Sequence, residues 1–168
     1  MKIFVTGGCG FIGSNFIIQQ ITKENNTILN YDKLTYAGNI NNLSSIEINQ
    51  KYEFVKGDIT DFKTLKNTIF DFEPDAIINF AAESHVDRSI ESPMDFVDSN
   101  IVGTATLLNI STLFYNSKSL SDFRFYQIST DEVYGSLGKS GLFTENSLYK
   151  PNSPYSASKA SSDHLTRA

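Results

Sequence analysis

The chain has 168 residues, 40% of them hydrophobic and 20% charged, and its 14 Lys and Arg against 19 Asp and Glu leave a formal net charge of −5. One domain is the default at this length, with about 70% of the unfolded surface available for burial, and the apolar content without a long polar tract excludes a disordered segment. The negative balance gives no electrostatic reason to expect nucleic acid or an anionic membrane as partner, so an anionic ligand must be met by local donors.

The opening MKIFVTGG has one lysine and a short apolar run before glycines intervene, too little for a secretory leader. Apolar stretches such as 76–78 and 80–82 are far below the roughly 20 residues of a membrane-spanning helix. The expectation is a soluble, cytoplasmic chain. Cys9 is the single cysteine and His85 and His164 the only histidines, so neither an internal disulfide nor a structural metal is expected.

In chain order, Lys2–Thr6 reads as a strand, 11–23 as a helix, and Thr27–Asp32 and Tyr52–Lys56 as two further strands. Within 61–72, Phe62, Leu65, Ile69 and Phe72 fall on one helical face, and Glu73-Pro74-Asp75 ends that helix. Residues 75–80 (DAIINF) read as a fully buried strand, 94–115 as a long helix, 116–122 as a polar turn and 123–129 as a fifth strand. Residues 130–154, with glycines 135, 138 and 141 and prolines 151 and 154, read as a long functional loop, and a last helix starts near Tyr155. The alternation predicts an α/β fold, a Rossmann-like doubly wound parallel sheet. The sequence stops at Ala168 inside the last predicted helix with no capping glycine or proline, and therefore reads as the N-terminal part of something longer.

Residues 6–13 (TGGCGFIG) place Gly7, Gly10 and Gly13 as GxxGxxG between the first strand and first helix. Glycines there allow a tight turn and a close backbone approach to pyrophosphate, whose charge lies at the helix N-terminus. Asp32 ends the next strand 19 residues after Gly13, where a carboxylate can accept from a ribose diol and would repel a 2′-phosphate, so NAD is favoured over NADP. Asp58 and Phe80-Ala81-Ala82 follow strands at carboxyl ends, where open α/β sheets bind ligands. For Asp58, adenine contact and a helix-capping role are equally open. Tyr155 and Lys159 stand four apart and share one helix face, about 5–6 Å apart at Cβ. A phenol has an ordinary pKa near 10, and the ammonium together with a positive nicotinamide would favour its ionised form. Thr130, Asp131 and Glu132 directly follow the fifth strand. Two adjacent carboxyls, one kept protonated and one ionised, are equipment for eliminating water, and spacing alone does not say which is which.

The segments TGGCGFIG, DKLTYAGN, AAESHVDRS, STDEVYG and YSASK together resemble the extended short-chain dehydrogenase/reductase group and, within it, the nucleotide-sugar 4,6-dehydratases that act on dTDP-glucose. The resemblance covers the whole chain. It implies bound NAD recycled within the reaction: oxidation at the 4-hydroxyl, loss of water across C5 and C6, and return of the hydride to C6. It implies Tyr155 as base for the 4-hydroxyl, Lys159 as its support and a ribose contact, and Thr130 as a hydroxyl near O4. Asp131 would then be the acid and Glu132 the base at C5. Cofactor contacts are implied for Phe11, Ile12, Asp32, Lys33, Leu34, Thr35, Asp58, Ile59, Phe80, Ala81, Ala82, Glu83, Ser84 and Ser99, the last standing where relatives often carry threonine. Ser84, His85 and Arg88 would meet the sugar nucleotide, although His85 also suits a structural loop and Arg88 could pair with Glu91. The group also implies a homodimer packed through the 94–115 helix and the helix from Tyr155. The resemblance further implies a smaller C-terminal substrate domain beyond residues 1–168, without which the piece is expected to be inactive. UDP-glucose dehydration, nucleotide-sugar 4-epimerisation and a non-catalytic NAD-binding remnant are the alternatives. Epimerisation needs no acid and base at C5 and C6.

Overall fold

The computed structural model describes residues 1–118 and 121–168. Five parallel strands, β1 (Lys2–Thr6), β2 (Thr27–Asp32), β3 (Tyr52–Lys56), β4 (Ala76–Asn79) and β5 (Arg124–Gln127), form one sheet in the order β3-β2-β1-β4-β5. Strand side chains alternate between two apolar layers. Phe4, Leu29, Tyr31 and Ile77 face one core with Leu65, Ile69, Phe72, Leu107, Ile110 and Phe114. Ile3, Val5 and Ile28 face the other with Ile17, Ile21, Leu43 and Ile46. A sheet buried on both faces needs apolar residues at consecutive positions, so β1 reads as a run rather than an alternation.

The helices supply these layers. α1 (Phe11–Thr22) covers one face and α2 (Phe62–Phe72) the other. The Asp61 carboxylate caps α2 by accepting from the backbone N–H groups of Lys63 and Thr64, and Glu73, at φ 51, ends it in the left-handed region just before Pro74. Instead of one regular helix over 94–115, the chain forms α3 (Val86–Glu91) and α4 (Pro93–Phe96), passes through a π-helical turn at Val97–Val102, and continues as α5 (Gly103–Lys118). Pro93 can open α4 because the N–H it lacks has no partner in a first turn. Of the predicted 116–122 turn, Asn116 to Lys118 are helical, and Ser119 and Leu120 lie outside the described residues. The last helix, α6 (Pro154–Arg167), is fixed by a capping box between Ser153 and Ser156. A 3-10 segment at Ile40–Ile46 packs Leu43 and Ile46 into the second core, an element the sequence reading leaves as loop. No helix among the described residues is long and apolar enough to cross a membrane.

The strand order reverses its progress between β1 and β4, so the crevice beyond their carboxyl ends is the place where such sheets hold ligands. Buried polar groups lock that seam. The Thr6 hydroxyl donates to Asn79 Oδ1 at 2.5 Å, and Asn79 Nδ2 donates to Gln127 at 2.8 Å and to the Thr104 hydroxyl at 3.3 Å.

Candidate active site

A cleft of about 380 Å³ opens over the carboxyl ends of the strands. Gly7, Gly10, Phe11, Ile12 and Gly13 line it at the start of α1, and Asp32, Lys33, Thr35, Asp58 and Ile59 line it beyond β2 and β3. Phe80, Ala81, Ala82, Ser84, Ser99, Tyr155 and Lys159 complete the expected set at the other end. Leu34 is placed otherwise: it sits at φ 57, packs against the second core, and donates its N–H to Asp32 Oδ1 at 2.7 Å.

The glycine turn is built for close approach. Gly7 has φ +67, and a Cβ there would stand 2.6 Å from the Ala81 nitrogen; one on Gly13 would stand 2.5 Å from the Gly7 oxygen. Gly10 differs, since a Cβ on it meets only the Gly7 oxygen, at 3.4 Å. Among the described residues no side chain caps α1 at Gly10, so the helix presents first-turn N–H groups to the cleft. The second Asp32 oxygen accepts from the Cys9 N–H at 2.8 Å, which fixes the carboxylate at the end of β2. Lys33 and Asp58 pair at 2.6 Å. Burial works to raise Asp58, but hydrogen bonds from Lys33 and Thr60 outweigh it and hold the carboxyl below its usual range. The hydrogen bond to Asp58 in turn raises Lys33 against the opposing cost of burial.

At the far end, Tyr155 is buried and Lys159 is only 4% exposed. Lys159 Nζ donates to the Ile128 carbonyl at 2.5 Å, and burial pushes its ammonium below the usual lysine range. Burial raises the Tyr155 phenol; a hydrogen bond with Thr130 opposes this, while the carboxylates of Glu132 and, more weakly, Asp131 reinforce it. In the chain alone the balance therefore favours the neutral phenol, burial being the largest cause and the two acids adding to it. Thr130 also caps the 3-10 turn Asp131–Tyr134, accepting from the Glu132 N–H at 3.3 Å. Thr130, Asp131 and Glu132 do not line the cleft itself; they stand beside its Tyr155 end.

His85 and Arg88 lie outside the lining. His85 caps α3 with its backbone, its carbonyl accepting from Ser89 N–H, and the Arg88 guanidinium lies 3.9 Å over the Tyr36 ring instead of pairing with Glu91. Several residues at the site escape the sequence reading. Ala37 and Gly38 line the cleft, while Glu83 lies in it as the implied run 80–84 expects. Asn100, in the π-helical turn, exchanges hydrogen bonds with the Glu83 backbone at 2.8 and 2.9 Å and donates to the Ser158 hydroxyl at 2.8 Å, tying the 81–84 loop to α6. No sequence signal marks Asn100. Asp163, four residues after Lys159, carried a spacing signal that was available.

The chain is similar along nearly its whole length to several nucleotide-sugar enzymes. A dTDP-glucose 4,6-dehydratase of Xanthomonas campestris pv. campestris (strain B100) is 53% identical over 169 residues, covering 98% of this chain and 47% of the relative. The chain thus spans about half the length of the curated relatives it matches. The crystal structure of a dTDP-glucose 4,6-dehydratase from Streptomyces venezuelae with NAD bound superposes with a TM-score of 0.89 at 44% identity, over 99% of this chain and 51% of that one. The UDP-Glc/GlcNAc 4-epimerase of Campylobacter jejuni shares the fold at a TM-score of 0.86 but is 28% identical, over 99% and 48%. Residues 4–168 match the model of the GDP-mannose 4,6-dehydratase family, and the chain belongs to that family.

Proposed function

We propose that residues 1–168 form the NAD-binding Rossmann unit of a dTDP-glucose 4,6-dehydratase, a cytoplasmic hydro-lyase that works as a homodimer. The observation that carries the reading is the Thr130-Asp131-Glu132 turn beside the buried Tyr155 at one end of a cleft whose other end holds Asp32.

The residues present fit NAD. The open side of Gly10 and the uncapped first turn of α1 suit a pyrophosphate, and Asp32 suits an unphosphorylated ribose. When bound, NAD supplies the electron sink, taking two electrons from C4 and returning them at C6. Tyr155, once the positive charge of a bound oxidised nicotinamide favours its phenolate, would take the 4-hydroxyl proton, with a Thr130 hydrogen bond stabilising the phenol oxygen. Lys159 fixes α6 against the end of β5 through the Ile128 carbonyl. Glu132 removes the proton at C5 while Asp131 protonates the departing 6-hydroxyl, so that water leaves and the sugar becomes a 4-keto-6-deoxy sugar. Ser84, His85 and Arg88 would face the nucleotide sugar.

Both the acid pair and the wide gap between dehydratase and epimerase identities favour dehydration over 4-epimerisation. The test is to incubate the complete gene product with dTDP-glucose and with UDP-glucose and to follow the 4-keto-6-deoxy product. Glu132→Gln is expected to keep NAD affinity and lose product formation by about 100-fold or more. Normal dehydration by that variant would remove Glu132 from the role of base, and a chain that binds no NAD would defeat the cofactor assignment. The exposed Met94, Leu113 and Leu165 on α4, α5 and α6 support pairing through these helices, which sedimentation of the complete gene product would reveal as twice the monomer mass.

A further inference from the structure

Two consecutive residues at the end of β5 are held by two side chains one turn apart on α6. Lys159 takes the Ile128 carbonyl at 2.5 Å, and Asp163 Oδ2 accepts from the Ser129 hydroxyl at 2.5 Å. The same oxygen accepts from the Tyr149 hydroxyl at 2.9 Å, so Asp163 also holds the long segment between the 3-10 turn and α6. Aromatic contacts continue the attachment: the Tyr149 ring lies 5.1 Å from His164 and 5.3 Å from Tyr134, the last residue of the turn that carries Asp131 and Glu132. The acid pair is therefore anchored on both sides, through Ser129 before it and through Tyr134 and Tyr149 after it.

We infer that Asp163 is a positioning residue that clamps the end of β5 and residues 135–153 onto α6 and thereby sets the Thr130-Asp131-Glu132 turn against Tyr155. The inference rests on the dehydratase reading for its catalytic consequence, and on hydrogen bonds alone for the clamp. Asp163 touches neither cofactor nor sugar; it acts through Ser129 and Tyr149. Burial and the Asp163 carboxylate push the Tyr149 phenol up to about 12, so the donated proton stays in place throughout the range in which the protein works.

A displacement of about 1 Å at reacting groups can cost about 100-fold in rate, and Asp163→Ala in the complete gene product is expected to lower kcat on dTDP-glucose by about that factor. KM and NAD affinity should change less than kcat, because Asp163 does not line the cleft and, of the two residues it holds, only Ser129 does. Asp163→Asn keeps an acceptor of the same shape and should recover most of the rate. A second measurement needs no activity. Lys139 lies in the clamped segment, and trypsin should cut after it faster in Asp163→Ala and Tyr149→Phe than in the wild type, at unchanged thermal midpoint. Undiminished kcat in Asp163→Ala overturns the positioning role, as does a loss of kcat that comes with equal losses of NAD affinity and thermal stability. Should the wild type itself fail to dehydrate dTDP-glucose, the functional reading fails separately. Proteolysis then still decides the clamp, and equal cleavage of wild type and Asp163→Ala would sink it.

Discussion

Lys159 carries a conflict that only function explains. Its ammonium is almost wholly buried, donates one hydrogen bond, and has no ion-pair partner within 4 Å among the described residues. Burial depresses its pKa, with Asp163 opposing. Between the depressed folded value and the ordinary 10.5 the unfolded chain holds more protons at this site than the folded one, so its contribution to stability rises with pH across that window. Cys9, raised to about 11, and Tyr31, raised to about 12, act with the opposite sign, since the folded chain keeps protons that the unfolded chain loses. They are common to wild type and Lys159→Met and drop out of the difference. The wild-type minus Lys159→Met stability, taken from urea midpoints over an alkaline pH series, is expected to climb with pH. A flat or falling difference would show that the buried ammonium is not strained.

At the scale of elements, the turn from β1 to α1 separates two jobs that its glycines perform. Gly7→Ala puts a Cβ against the β4–α3 backbone at a left-handed φ, so about 1–3 kcal/mol of strain is expected before the clash is counted. Gly10→Ala meets only the 3.4 Å contact and keeps a φ of −74, so the fold should hold while the methyl occupies the cleft. Thermal melts and NAD titrations of both variants should show lost stability in the first and lost affinity with a normal melt in the second. A normal melt for Gly7→Ala would refute the close-approach account.

How much of this was legible follows from the same physics. Strands β1 and β2 fall on the predicted bounds because buried parallel strands leave short apolar runs between turn residues, and β3, a half-exposed edge strand, does so on its alternation of aromatic and charged residues. Residues 86–102 were not legible, since a six-residue helix and a π-helical turn lack the 3.6-residue period that marks a long helix. The glycine loop, Asp32, Tyr155 and Lys159 announced themselves by local spacing. Asn100 and the Ser129–Asp163 bond did not, because hydrogen bonds spanning 58 and 34 residues leave no trace in a local pattern.

At the scale of the whole molecule, a chain with a net charge of −5 is asked to hold a dinucleotide that is itself anionic. The overall field opposes binding, so affinity must come from backbone donors at the start of α1, from Lys33, and from the closeness of the small Ala81 and Ala82 to the ligand. Because these groups follow β1, β2 and β4 in turn, the ligand bridges elements that separate on unfolding, and it is expected to bind the folded state alone. NAD at 100 times its Kd should then add about 2.7 kcal/mol. For a chain of this size that corresponds to a rise of about 5–10 °C in Tm. Added salt should leave most of the shift intact, since backbone donors at a helix N-terminus in a partly enclosed cleft are screened less than exposed charges. Differential scanning fluorimetry of the 168-residue chain with and without NAD measures this directly. A shift abolished by about 0.5 M salt would relocate the affinity to exposed cations such as Lys33, and a shift of equal size in Gly10→Ala would place the ligand outside this cleft.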